Sequence, residues 1–301
     1  LSTAVMEVSS HGLALGRVDA IDFDVGVFTN LSQDHLDFHA TMEEYGLTKG
    51  LLFERLGAGG CAVLNADDPW SERYAAHTVA EVLTYGLDAD ADLRAHVQRL
   101  DVDGSAFHVE TAEANPAFGA HMRLVGRHNV ANACAALGAA AALGLSVTAM
   151  TTGLSALSAV PGRLEPVDCG QDFRLLVDYA HTPDALSQVL QLLRPLTKGR
   201  LHVVFGCGGD RDRGKRPLMG AAAARWADRL WLTSDNPRSE EPAAILDDVL
   251  AGIPASSACT ALVDRREAID RACREARGRD IVLVAGKGHE KIGRASCRER
   301  V

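Results

Sequence analysis

A chain of 301 residues with 47% hydrophobic and 24% charged residues has room for two domains of about 150 residues each, and its composition excludes a disordered segment too polar to build a core. A formal charge of -9 argues against a nucleic-acid partner, because phosphate-backbone binding needs a concentrated Lys/Arg surface; a small anionic substrate needs only a few local cations. With no apolar run near the roughly 18 residues of a bilayer span and no basic-then-apolar leader, the expectation is no membrane partner and a cytoplasmic protein.

In chain order, residues 3–8 form an apolar run that reads as a strand entered directly from Leu1, without a starter Met, which suggests truncation. Residues 25–29, 62–65 and 82–85 read as further strands, and 42–56 as a helix opening after Thr41, with Glu44 at capping-box spacing. Alternating runs at 106–111 and 117–124 read as antiparallel strands, followed by an Ala-rich helix over about 129–143. Ala159-Val160-Pro161-Gly162 breaks the helical pattern, and beyond it strands at 174–177, 201–205, 229–233 and 281–284 alternate with helices. Such βα repeats imply a second parallel sheet with its functional loops at the carboxyl ends of the strands. The basic stretch 293–301 follows no preceding pattern and reads as a foreign or frame-shifted tail. The seven cysteines contain no C-x-x-C pair, which argues against a zinc site or a disulfide scaffold and leaves mostly buried thiols.

Chemistry-bearing residues gather after the strands. Glu7-Val8-Ser9-Ser10-His11-Gly12-Leu13 offers a carboxylate for a hard cation such as Mg²⁺, or simply a solvated turn. Residues 29–39 pack Asp34, His35, Asp37 and His39 into one polar loop, more than a turn requires, and favour a metal or phosphate role. Lys49 sits on the following helix among apolar residues, where spacing alone reads it as a solvated charge. Asn65-Ala66-Asp67-Asp68-Pro69 is explained by a turn and a helix start, and carries no chemistry. In the second half, Asp178 follows a strand and suits either a ligand role or capping, and Arg163 at the domain boundary reads by itself as a plain salt bridge. Residues 206–217 combine glycines that permit close backbone approach with charges that can clamp an anion. Their order is not G-x-G-x-x-G, which argues against a dinucleotide-binding oxidoreductase.

Taken together and in this order, the strings around Glu7, His35 and Lys49, Gly126-Arg127-His128-Asn129-Val130-Ala131-Asn132, Pro161-Gly162-Arg163, Asp235-Asn236-Pro237-Arg238 and Gly286-Lys287-Gly288-His289-Glu290 resemble the Mur ligase family across about residues 1–290. Within it they look most like the tripeptide synthetases that add meso-diaminopimelate. The resemblance implies an α/β fold: a partial central ATP-binding domain over 1–160, mostly parallel with a small antiparallel subsheet, and a Rossmann-like amino-acid-binding domain over 161–292. It implies an ATP-dependent amide-bond ligase of peptidoglycan precursor synthesis, acting on UDP-MurNAc-L-Ala-D-Glu through an acyl phosphate, with ATP as substrate and Mg²⁺ as cofactor. Glu7, His35 and N-carbamoylated Lys49 would serve the metal and the phosphates, since carbamoylation turns a cation into an anion able to face Mg²⁺.

The same resemblance assigns Ser9 and Arg17 to the uridine-linked substrate, and Asn132, Arg163 and Asp178 to ATP. It assigns Arg211, Asp235, Asn236, Pro237, Arg238, Gly286 and Glu290 to meso-diaminopimelate, with Arg238 as the selector. Two positions depart from the family: Leu15 stands where a Gln is common, and His128 replaces an aromatic residue. The family's glycine-rich phosphate loop with its Lys-Thr would lie before Leu1, so the chain as written is expected to turn over poorly; a monomer is the expected state. The rival readings are a non-catalytic binding fragment and a folylpolyglutamate synthetase-like ligase; Asp235 to Arg238 argue against the second.

Overall fold

The computed structural model describes residues 3–32, 38–112 and 117–288. The chain divides into two compact units, Leu1–Leu157 and Ser158–Val301.

The first unit contains, in order, α1 (Ser10–Ala14), β1 (Val25–Phe28), α2 (Met42–Glu54), β2 (Cys61–Asn65), α3 (Trp70–His77), β3 (Glu81–Gly86), β4 (Leu93–Asp101), β5 (Gly104–Thr111), β6 (Phe118–Met122), α4 (Arg127–Ala142) and α5 (Val147–Ala156). Its sheet has the order β1-β2-β3-β4-β5-β6, parallel from β1 to β4 and antiparallel from β4 to β6. Connection length explains the change. Helices α2 and α3 carry the chain back between β1, β2 and β3, whereas only Val102 and Asp103 separate β4 from β5, a link short enough only for a hairpin.

Every residue of β2 is buried, because both faces of the sheet are covered. Ala62 and Leu64 pack with Phe28, Phe53, Leu56 and Tyr74 on one side. Cys61 and Val63 pack with Tyr85, Phe107, Val130, Cys134 and Leu137 on the other. Each such Leu or Phe contributes about 1.5–3 kcal/mol by leaving water.

The expected strand at residues 3–8 is absent. Val5 is 95% exposed and Met6 50%, and the segment runs without regular structure into α1. An apolar run becomes a strand only where neighbouring backbones take its N–H and C=O groups, and no described segment does so here. Helix α2 starts as its sequence predicts, with the Thr41 hydroxyl accepting from Glu44 N at 3.1 Å. The Glu44 carboxylate reaches back to Ala40 N, one residue before the cap.

The second unit contains β7 (Glu165–Val167), β8 (Arg174–Asp178), α6 (Pro183–Leu193), β9 (Leu201–Phe205), α7 (Lys215–Trp226), β10 (Arg229–Thr233), α8 (Pro242–Leu250), β11 (Cys259–Leu262), α9 (Arg265–Glu275) and β12 (Ile281–Ala285). The sheet order is β11-β10-β9-β12-β8-β7, parallel except for the edge pair β7 and β8. Strand β12, last in sequence, lies between β8 and β9, so the direction of winding reverses there. Open α/β sheets bind ligands at the carboxyl ends of the strands flanking such a point. No helix among the described residues is long and apolar enough to cross a membrane.

Candidate functional site

In the first unit the candidate residues surround α1 and α2, which pack together. Ser9 caps α1, its Oγ accepting from Gly12 N at 3.1 Å. Glu7 is exposed just before it. Arg17 follows α1, its backbone N bonded to Gly12 O at 2.8 Å and its side chain exposed. Ser10 points inward and shares a 2.9 Å hydrogen bond with His39 Nε2, both side chains being 1% exposed. The His39 ring stacks on Tyr45 of α2 at 5.2 Å, and Lys49 Nζ, one helical turn on, lies 5.2 Å from the same Tyr45 ring. Ser9, Ser10 and Lys49 thus belong to one aromatic-braced cluster.

Asn65 and Asp68, to which the sequence assigns no chemistry, hold the loop after β1: Asn65 Nδ2 donates to Thr29 O at 2.6 Å and Leu31 N donates to Asp68 Oδ2 at 2.8 Å. Asp67 in turn accepts from Leu87, Asp88 and Ala89 N. Burial pushes the Asp67 carboxyl up, but these N–H groups outweigh it and hold the group below its usual range. His35 lies outside the described residues, and among the described residues no group of three His, Cys, Asp or Glu side chains is arranged to hold a metal. Asn132 is exposed on α4, its Nδ2 3.4 Å from Asn129 Oδ1.

In the second unit the candidates stand at the carboxyl ends of β8, β9, β10 and β12. Asp178, 5% exposed, accepts from Leu164 N at 2.9 Å and Ala180 N at 2.8 Å, so its carboxylate fastens the 162–164 turn to β8. Arg163 is exposed and lies over the Tyr179 ring at 5.7 Å. After β9, Gly209 approaches the next loop so closely that a Cβ would stand 1.9 Å from Pro237 O. Gly209 N donates to Asn236 O at 2.9 Å, and Arg238, at φ +53, donates from Nη1 to Gly209 O. Arg211 is exposed on the same loop. After β12, Gly286 takes φ +111 and bonds Asp178 O through its N at 3.0 Å. Glu290 lies outside the described residues.

Three features were missed from sequence. Lys287, only 6% exposed, donates to Asn236 Oδ1 at 3.1 Å and stands 3.5 Å from Asp235 Oδ1; a lysine held between two glycines at the end of a wholly apolar strand was the available signal. The Ser10–His39 bond joins residues 29 apart and had no local signature. Arg216, fully buried on α7, donates to Glu240, Asp248 and Gly208 O. The Arg216 guanidinium holds the Glu240 carboxyl down at about 2, tying the loops after β9 and β10 together. Of the described cysteines Cys61, Cys134 and Cys207 are buried and Cys169 is exposed; burial pushes the Cys207 thiol up to about 11, which keeps it un-ionised beside the glycine-rich loop.

Residues 1–140 match the family model of the Mur ligase middle domain, and residues 162–288 that of the Mur ligase glutamate ligase domain. A UDP-N-acetylmuramoyl-L-alanyl-D-glutamate–2,6-diaminopimelate ligase of Bacillus cereus is 46% identical over 296 residues, covering 96% of this chain and 60% of that protein. The ligase of the same name from Gloeobacter violaceus is 50% identical over 287 residues, covering 95% and 58%. A solved structure of a ligase with this name superposes with TM-score 0.70 at 40% identity, over 94% of this chain and 59% of that one. MurF of Acinetobacter baumannii shares the fold, with TM-score 0.71 at 18% identity over 89% and 57%. The chain spans about three-fifths of the length of the curated relatives it matches.

Proposed function

The chain belongs to the Mur ligase family, and from that premise we propose that it is the ATP-using and amino-acid-binding part of a ligase joining meso-diaminopimelate to UDP-MurNAc-L-Ala-D-Glu. ATP phosphorylates the D-Glu side-chain carboxylate and leaves as ADP; the amine of meso-diaminopimelate attacks the acyl phosphate, loses a proton and expels inorganic phosphate as the amide forms. The observation that carries the reading is the meeting of the Asp235-to-Arg238 loop with Gly209 and Lys287 at the strand ends of the second unit. There an Arg can recognise, through paired N–H donors, the second carboxylate that distinguishes this diamino acid from lysine.

The remaining roles follow the same premise. Ser9 and Arg17 bind the uridine-linked substrate. Asn132 and Arg163 meet the adenine, and Asp178 the ribose, since each of its oxygens has a second lone pair beyond the backbone bond it accepts. Arg211, Gly286 and Glu290 complete the amino-acid site. A Mg²⁺ ion would neutralise phosphate charge, held by Glu7, His35 and carbamoylated Lys49. The two oxygen donors suit this hard cation, and Glu7 is exposed to receive it. The positions of Ser9 on α1 and Lys49 on α2, joined through Ser10, His39 and Tyr45, keep the substrate and phosphate groups in register.

Titration calorimetry of the chain with meso-diaminopimelate and with L-lysine tests the reading. The expected result is saturable binding of meso-diaminopimelate and at least tenfold weaker binding of L-lysine. Equal affinities remove the role given to Arg238.

A further inference from the structure

We propose that Arg216 is a positioning residue for acceptor selection: through Glu240 it fixes the backbone of Asp210, and so sets the spacing between the two loops that carry Arg211 and Arg238. The inference rests on the reading of this pocket as the diamino-acid site, and deepens it.

A guanidinium removed from water is costly unless charged or polar partners replace the water, and Arg216 on α7 is fully buried. Its partners lie on three separate segments. Nη1 donates to Glu240 Oε2 at 2.9 Å and to Asp248 Oδ2 of α8 at 2.8 Å. Nη2 donates to Glu240 Oε1 at 2.6 Å and to Gly208 O at 3.4 Å. The paired bonds fix the plane of the Glu240 carboxylate, which a single point charge would not do. Held down at about 2 by this guanidinium, the carboxylate stays ionised near neutral pH.

Glu240 Oε1 extends the constraint, because it also accepts from Asp210 N at 2.6 Å. Asp210 in turn grips the loop after β10: its Oδ1 accepts from Ser239 Oγ at 2.7 Å and its Oδ2 from Ser239 N at 3.1 Å. The loops after β9 and β10 are thus stitched in both directions, immediately beside Arg211 and Arg238. The backbone shows what the stitching maintains. Asp210 takes φ +50 and Arg238 φ +53, in the left-handed region that a residue other than glycine keeps only where its surroundings over-determine it. Gly209, having no Cβ, lets the loops touch at Pro237 O, and Arg238 Nη1 donates across to Gly209 O. The direction of the Arg238 guanidinium therefore depends on where the 208–210 backbone stands. Releasing Asp210 from Glu240 lets both left-handed residues relax, and the Arg238 fork turns with its backbone. Such a turn matters to meso-diaminopimelate, whose second carboxylate Arg238 recognises, and not to L-lysine, which has no such carboxylate.

The test is the ratio of meso-diaminopimelate to L-lysine affinity, measured by calorimetry on the chain for wild type, Arg216→Lys, Ser239→Ala and Ser239→Thr, with thermal melts alongside. Arg216→Lys keeps the buried charge but loses the paired bonds to Glu240, and is expected to lower the ratio by about tenfold or more, through meso-diaminopimelate alone. Ser239 is exposed, so Ser239→Ala is expected to fold even if Arg216→Lys does not. Without the hydroxyl the grip on Asp210 loosens, and the ratio is expected to fall about fivefold; Ser239→Thr, which keeps the hydroxyl, is expected to retain the wild-type ratio. An unchanged ratio in a folded Arg216→Lys or in Ser239→Ala, a Ser239→Thr ratio no better than that of Ser239→Ala, or equal losses for both amino acids overturns the inference while leaving the pocket's assignment standing. Failure of the wild type to bind meso-diaminopimelate, or equal wild-type affinity for the two amino acids, overturns the assignment and the inference with it.

Discussion

His202 and Asp280 form a buried ionisable pair at the end of the second sheet remote from the candidate site. The imidazole is fully buried, its Nε2 3.4 Å from Asp280 and its Nδ1 3.5 Å from the Trp231 indole N–H. Burial pushes His202 below its usual value, outweighing the opposing pull of Asp280. Burial pushes Asp280 up, but the N–H groups of Arg200 and Arg277, with His202, outweigh it and leave the carboxyl low. For both groups the unfolded chain binds protons more readily than the fold, so stability falls as acid is added. The His202 contribution is complete above its unfolded value of about 6.5 and erodes below it, and that of Asp280 is lost further down, below about 4. Urea midpoints of Ser158–Val301 signals between about pH 5 and 8 should therefore rise with pH in the wild type and flatten in His202→Gln; a slope that survives the substitution assigns the effect elsewhere. At the proposed site the corresponding prediction is Arg238→Lys. It keeps the charge but loses the planar fork, and should weaken meso-diaminopimelate binding at least tenfold; calorimetric affinity equal to wild type would rule out paired recognition.

Helix α1 is too short to hold itself, at five residues, and survives by what it touches. The Ser9 cap fixes its start and the Ser10–His39 bond fixes its face. His39 Nδ1 is buried with no hydrogen-bond partner among the described residues, so Ser10→Ala would leave both ring nitrogens unsatisfied. That loss should cost about 1–3 kcal/mol, read as a lowered urea midpoint, and an unchanged midpoint would show that α1 does not depend on this bond. The elements differed in how plainly the sequence announced them. Strands β2, β9 and β12 were legible because burial on both faces demands an unbroken apolar run. The run at residues 3–8 misled because apolar character says nothing about whether a neighbouring strand is present. The start of helix α3 was legible in Asn65 to Pro69, whereas β11 was hidden by its brevity and edge position, where none of Cys259 to Leu262 is fully buried. The candidate residues were legible where several of them share a loop, as in Asp235 to Arg238. Lys287 was not, because its partners lie some 51 residues away and only the β12 position between β8 and β9 brings them together; His35 and Glu290 fall outside the described residues.

At the scale of the molecule each unit closes a core of its own, around β2 in the first and around Val204, Trp231, Val282 and Val284 in the second. A ligand that binds one unit stabilises that unit by mass action, by about 2.7 kcal/mol when its concentration is a hundredfold above the dissociation constant. Hydrogen exchange followed by mass spectrometry can report the two units separately, since their buried strands give distinct peptides. With meso-diaminopimelate at saturation, slowed exchange is expected in β9, β10 and β12 and the loops that follow them, because Gly209 is bonded to both Asn236 and Arg238 there and ordering one loop orders the other. Exchange in β2 and α4 of the first unit should stay as it was. Protection appearing first in β2 and α4, with none after β10, would move the amino-acid site into the wrong half of the chain; protection confined to the second unit ties the acceptor pocket to the sheet whose winding reverses at β12.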